Sequence, residues 1–527
     1  MGVLVAACGS SQPLGGGDSV AQLSDKAQAA RFLTQATFGP TLDDINAVSG
    51  PKNFDAWLTQ QKSVPVSLEL PYLNGQNKTY NQSDRIEAWW HNAILGRDQL
   101  RQRMAFALSE IMVVSDQATP LDVAPDGVAY YYDVLARNAL GNFRDLLENV
   151  TLSPAMGHYL NMFQSSKPDP ANGIRSDENY AREVMQLFTV GLTQLNPDGT
   201  PRLDSTGSGI PTFTQSDVAN LARVLTGWAW SGGVTFYSTK TNWTAPMQPY
   251  ESFHDRDSKV IIGNTAIPAG MNAHPELDLA LDALFQHPNV GPFIGKQLIE
   301  RLVTSNPSPA YVARVAQVFN DNGAGVRGDL FAVARAILLD PEARAPTPSV
   351  SSDKLREPLL RVSELWRAFS ARAANGRYDY PQGNATLDQS PVGAPSVFNF
   401  FRPDFSPVGV LSQAGLVAPE FQITNESTAV RLSNEMRRLS GLYRTSGSGS
   451  AAPGDVLLDF KAFEASAAQP ENLLDALNLL LMSGQMPAAM RQTLLDFASA
   501  IPADQLDLRI AEVLHLIVTS PQYAAQR

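Results

Sequence analysis

Residues 86–115 read IEAWWHNAILGRDQLRQRMAFALSEIMVVS. Trp89, Ala93, Ile94, Leu100, Met104, Leu108 and Ile111 recur at helical spacing, the period that lays one apolar stripe along an α-helix. The spacing predicts a long helical stretch, and a stripe of that length must be buried against other elements. The same period returns at 143–151, 218–226, 278–286, 309–319, 331–339 and 354–369. Upstream, Ser24 stands as a cap ahead of Ala27, Ala30, Phe32 and Leu33. Phe38-Gly39-Pro40 ends that helix, and Thr41 caps the next, over 42–48. Strand signals are few. Residues 192–195 and 200–203 flank the turn Pro197-Asp198-Gly199 as a hairpin, and 234–237 and 259–262 are candidates for short strands. The pattern predicts a mainly α fold, a large multi-helix domain with a small β-hairpin or sheet element.

Hydrophobic residues make up 44% and charged residues 17% of the chain, an ordinary globular composition able to bury a large core. A net charge of −12 argues against non-specific binding to nucleic acid or anionic lipid. The single cysteine, Cys8, follows Leu4-Val5-Ala6-Ala7 and precedes Gly9-Ser10-Ser11. A small-residue pair before a lone cysteine resembles the lipobox of a bacterial lipoprotein, where the cysteine is acylated; the other reading is an incidental thiol. Met1 to Ala7 carry no Lys or Arg and are shorter than a full signal peptide. A trimmed signal or an upstream start is therefore expected. Residues 1–22 read as lipobox and flexible tether, and 23–527 as the α-helical domain. Within it, a Gly/Ser-rich linker at 445–454 precedes a C-terminal helical subdomain, 455–527. The expected location is the cell envelope, as a periplasmic or outer-membrane lipoprotein that meets the membrane only through its N-terminus.

The segment 177–190 carries the most chemistry. Ser176 reads as its cap, with Asp177 and Glu178 suiting the helix dipole. Tyr180, Val184, Leu187 and Phe188 form its apolar face, bordered by Asn179, Glu183 and Gln186. A carboxylate beside an apolar face can be desolvated into acid/base work or can ligate a metal. Pairing of Glu183 with Arg182 is the structural alternative. His254-Asp255 in a loop offers metal ligands, or a base with its orienting carboxylate. These residues define two overlapping candidate sets: Glu183, His254 and Glu178 for catalysis, and Glu183, His254 and Asp255 for a divalent metal. Asn196-Pro197-Asp198-Gly199 reads as a turn, since its glycine is misplaced for a calcium loop. Trp228, Trp230 and Trp243 are candidates for an aromatic ligand platform, or for core packing. Motifs of serine hydrolases, P-loop NTPases and dinucleotide-binding enzymes are missing from the sequence.

Five ordered stretches carry a resemblance. They are residues 30–41 (ARFLTQATFGPT), 178–191 (ENYAREVMQLFTVG), 225–228 (LTGW), His254-Asp255 with Lys259 and Gly263, and 354–358 (KLREP). In this order they resemble the bacterial DUF1800 family of large exported proteins. The resemblance implies export, one domain over nearly the whole chain, and a DUF1501-like protein of the alkaline-phosphatase type as partner. It supplies no catalytic residues. Two functions are expected: binding of an envelope partner or extracellular polymer, or metal-dependent or acid/base hydrolysis in the envelope by Glu183 and His254.

Overall fold

In the computed structural model, residues 23–50, 53–76, 78–345, 353–380, 383–441 and 452–527 are described. Cys8 with its tether and residues 445–451 of the Gly/Ser stretch lie outside them. Helix α1, Asp25–Ala36, starts where the Ser24 side chain accepts the Ala27 N–H. Residues 86–115 form two helices rather than one stretch: α2, Gln82–Leu95, and α3, Gln99–Ser109. The chain turns at 96–98 because the buried Asp98 carboxylate is an anchor. It accepts from Ser67 N at 2.9 Å, Ser67 Oγ at 2.7 Å and Gln102 Nε2 at 2.9 Å. A buried anion needs such donors, and a straight helix would carry it away from Ser67.

The helices that frame the rest of the molecule follow in order. They are α4 Phe143–Thr151, α5 Asn179–Gln186, α6 Gln215–Val224, α7 Ala273–Gln286 and α8 Val290–Leu302. Beyond them come α9 Pro309–Asn320, α10 Leu330–Leu339, α11 Pro358–Ala368 and α12 Pro470–Met482. Helix α5 is shorter than the expected 177–190. Ser176 does not cap it; its hydroxyl bonds Ser166 O, while Asp177 Oδ1 accepts the Asn179 N–H at 2.8 Å. The helix closes when the amides of Val190 and Gly191 both return to Met185 O at 3.0 Å.

Strands are short and paired in antiparallel twos: β1 Trp228–Ala229 with β2 Gln248–Pro249, and β3 Lys259–Ile261 with β4 Thr265–Ile267. The third pair, β5 Lys354–Leu355 with β6 Ala525–Gln526, joins distant parts of the chain. The expected hairpin at 192–203 is a ribbon of single bridges, Leu195 to Pro201, Leu203 to Gly209 and Thr193 to Pro211. Residues 234–237 are not a strand; the chain coils there so that Phe236 stacks on Phe253 at 4.2 Å. One continuous apolar core runs from Ala29 to Tyr523, each fully buried Leu or Ile contributing about 1.5–3 kcal/mol. Helix α12 packs on α1 and α11. The fold is mainly α with small hairpin elements.

Candidate functional site

His254 lies in a closed, buried ion network. Its Nδ1 is 3.0 Å from Thr226 O and its Nε2 3.2 Å from Glu276 Oε2 on α7. Because a carbonyl only accepts, Nδ1 donates to it, and Nε2 is the nitrogen that faces the Glu276 carboxylate. Lys259 on β3 donates to Asp255 O at 2.7 Å and Asp257 O at 2.9 Å and pairs with Glu276. Arg223 on α6 grips Asp255 through two bonds, Nε to Oδ2 at 2.8 Å and Nη2 to Oδ1 at 3.0 Å. Burial opposes the Asp255 charge, but those Arg223 bonds hold its carboxyl below the usual range. Both imidazole nitrogens and both Asp255 oxygens are thus engaged. A metal there would have to break the network.

The structure does not join Glu183 to this network: no hydrogen bond links it to His254 or Asp255. Glu183 is buried on α5 with Oε2 unpartnered, and burial pushes its carboxyl upward against the influence of Arg182. Glu178 is half-exposed, where it accepts from Gln215 Nε2 at 2.7 Å and Arg182 at 3.3 Å. Such exposed pairs contribute about 0–1 kcal/mol.

Trp228 and Trp230 are buried, so neither presents a platform to a ligand. Trp230, half-buried Trp243 and Phe163 surround His158, with ring centroids 5.1, 4.9 and 4.0 Å from the imidazole. Burial there pushes His158 down to about 4. Among the described residues, ligand atoms of Glu148, His274 and Asp278 cluster within 4.8 Å. Arg144 on α4 already bonds Glu148 at 2.8 Å, Asp278 at 3.2 Å and Asp282 at 2.6 Å. Its guanidinium supplies the positive charge that a metal would bring.

A different place has the shape of a site. A groove of about 800 Å³ opens along α8. Phe293, Lys296, Gln297, Glu300 and Arg301 line its floor, spaced so that they share one face of the helix. One wall is the segment after α5, including Leu187, Gly191, Leu192 and Leu195; the other is formed by Ser305, Asn306 and the loop from Val397 to Val417. Asn289, one residue before α8, ties the first wall down. Its Nδ2 donates to Val190 O and Thr193 O, both at 2.8 Å, and its Oδ1 accepts the Leu195 N–H at 2.9 Å. Asn306 does the same for the second wall through Val417 N and O, both at 2.9 Å. Gly191 has φ +70°, and a Cβ there would sit 2.8 Å from the Phe293 ring. Only glycine lets that ring lie on the groove wall.

The floor is electrostatically unusual. Burial pushes the Glu300 carboxyl up to about 7, against the nearby cations Lys296, Arg301 and Lys354. Among the described residues no hydrogen bond reaches that carboxyl, and Lys296 Nζ is 3.8 Å away. Glu110 from the end of α3 is held well above the usual carboxylate range by burial and then by the neighbouring Glu357. Arg301 answers it, with Nε 3.3 Å from Glu110 Oε2 and its guanidinium over the Phe401 ring. Just below the groove surface, the Ser305 hydroxyl in the second wall and the Gln297 amide nitrogen in the floor are buried without a hydrogen-bond partner among the described residues. Sequence reasoning missed Glu110, Gln297, Glu300 and Ser305. Helix α8 itself was not expected, because Gly291, Pro292 and Gly295 interrupt its pattern. The apolar series Ile294, Leu298, Ile299 and Leu302 was the signal that could have found it.

Fold and groove together define a helical protein built around an open, largely apolar cleft with acid groups in its floor. The chain belongs to the DUF1800 family, described as a protein of unknown function, whose family model matches residues 31–525. No curated protein and no solved structure matches it. The 178–191 stretch supplies Gln186, Leu187 and Gly191 to the groove, and Glu357 of the 354–358 stretch lies beside Glu110.

Proposed function

We propose that this chain is a cell-envelope binding protein whose groove holds a segment of an envelope or extracellular polymer. The observation that supports it is the groove itself: apolar walls pinned by Asn289 and Asn306 over a floor that carries Lys296, Glu300 and Arg301. Clefts of this size with a few convergent polar groups are the usual form of binding sites. Leu192 and Phe398 stand 59% and 49% exposed at its rim, surface that a ligand would cover. The test is co-sedimentation of the exported protein with insoluble cell-wall and extracellular polysaccharide fractions. The protein is expected to sediment, and a Leu192→Glu/Phe398→Glu variant to remain in the supernatant. Equal sedimentation of both proteins refutes the reading. Failure of the polymer fractions together with tight binding of a DUF1501-like protein would replace the polymer by a protein partner.

One observation favours a hydrolytic form of the same reading. Glu300 is held near neutrality in the groove floor, where a carboxyl serves best as general acid or base. The acid/base role expected of Glu183 and His254 would then fall to Glu300.

A further inference from the structure

We infer that the polymer segment held in this groove is acidic, with a carboxylate or phosphate group set against the Arg301 guanidinium, an inference that rests on the groove being the binding site. Arg301 lines the groove floor and is only 3% exposed. Its Nε lies 3.3 Å from Glu110 Oε2 without forming a hydrogen bond, and the guanidinium lies over the Phe401 ring. Nη1 and Nη2 make no hydrogen bond among the described residues and, unlike Nε, are not sealed from the surface. A guanidinium so nearly buried has lost water without gaining partners for its donors, which is costly. An oxyanion that accepts two parallel bonds from the open fork is its strongest complement.

Two further cations open on the same groove. Lys296 approaches Glu300 and Arg402 approaches Asp404, each at 3.8 Å, too far for a hydrogen bond. Burial raises Glu300 to about 7, and burial together with Glu357 holds Glu110 well above the usual carboxylate range. At and below neutral pH, Lys296, Arg301 and Arg402 therefore outnumber the negative charge left in the lining. The chain's net charge of −12 opposes a polyanion only weakly at physiological salt, which screens charges farther apart than about 8 Å. Lys296 and Arg301 stand five residues apart on α8, about 7.5 Å along its axis, so one strand can present a separate acidic group to each. A polypeptide would instead be expected to pair with backbone groups of the walls. Leu195 N–H and Thr193 O are already taken by Asn289, and Val417 N–H and O by Asn306.

The experiment is titration calorimetry of the intact chain at low salt with defined oligomers. Hexagalacturonate is the carboxylate probe and a glycerol phosphate hexamer the phosphate probe; cellohexaose and chitohexaose are neutral, a chitosan hexamer is basic, and hexaglutamate is the acidic peptide. At least one of the first two is expected to bind with a dissociation constant below about 1 mM, roughly tenfold or more tighter than the neutral sugars, and the better of the two identifies the acidic group. Arg301→Gln should weaken it at least about tenfold, the size of a lost charged hydrogen bond. Lys296→Gln and Arg402→Gln should each weaken it about twofold to fivefold; both positions are exposed, so they decide the matter if Arg301→Gln does not fold. Neutral or basic oligomers that bind as tightly as the acidic ones overturn the inference while leaving the groove reading intact. Hexaglutamate binding tighter than both acidic polymers overturns it in favour of a protein segment. Acidic binding that none of the three substitutions weakens places the anion elsewhere and also overturns it. If no oligomer binds, the inference fails; the sedimentation result for the Leu192→Glu/Phe398→Glu variant then decides the groove reading separately.

Discussion

Glu300 shows how one residue can carry both a stability cost and a chemical opportunity. Its carboxyl is raised from its ordinary 4.5 to about 7 because burial removes water that the nearby cations only partly replace. In the unfolded chain it ionises near 4.5, so between 4.5 and about 7 the folded state binds more protons than the unfolded one. Stability must then fall as pH rises through that window. The full difference corresponds to roughly 3 kcal/mol. Glu300→Gln, which stays neutral, should flatten this decline: denaturant midpoints at pH 5 and pH 8 should converge relative to those of the parent. A variant with the parent's pH slope would show that Glu300 is solvated in solution. The surroundings of His254 likewise come from packing rather than from sequence spacing. His254 and Asp255 were visible as a polar pair, but Glu276, twenty-two residues on, could not be assigned to them from spacing.

At the scale of elements, local pattern was read well where the apolar period was unbroken and poorly where a buried polar group redirected the chain. Helices α4, α9 and α10 lie close to their predicted spans. The stretch 86–115 was split by Asp98, and α8 was hidden by its own glycines. Gly295 is needed because α9 packs so close that a Cβ would sit 3.0 Å from Val315 Cγ1; a helix breaker in sequence is a contact residue in space. The groove wall depends on a comparably small device. Asn289→Ala removes three hydrogen bonds between the start of α8 and the 190–195 segment. It should cost about 2–4 kcal/mol, since buried carbonyls and an amide lose their partners. Hydrogen exchange of the ribbon from Leu192 to Thr212 should accelerate while that of α9 and α10 stays slow. Uniform acceleration across all of these would mean that Asn289 supports the whole core rather than this wall.

Across the whole molecule, the two ends of the described chain meet beneath the site. Arg31 on α1 donates to Arg527 O at 2.7 Å and β6 pairs with β5. Gln526 Nε2 donates at 2.9 Å to the carbonyls of Leu302 and Val303, where α8 ends. Such last-turn carbonyls have no partner within their own helix. Gln526→Ala should therefore destabilise the fold by about 1–3 kcal/mol, read as a lowered midpoint in urea. It should also weaken ligand binding in the groove, because α8 is its floor. An unchanged midpoint would show that water replaces the amide at no cost.

Mainly helical class, the position of several helices and membership in a family were legible in linear order, since all three rest on short-range periodicity and ordered motifs. The site was not legible. Glu110, Glu300, Ser305 and the loop from Val397 to Val417 come from separate regions of the chain, and each looks ordinary among its neighbours in sequence. Their character arises only when packing strips water from the carboxyls and leaves some hydrogen-bonding groups unpaired, a consequence of desolvation in three dimensions that spacing along a chain does not encode.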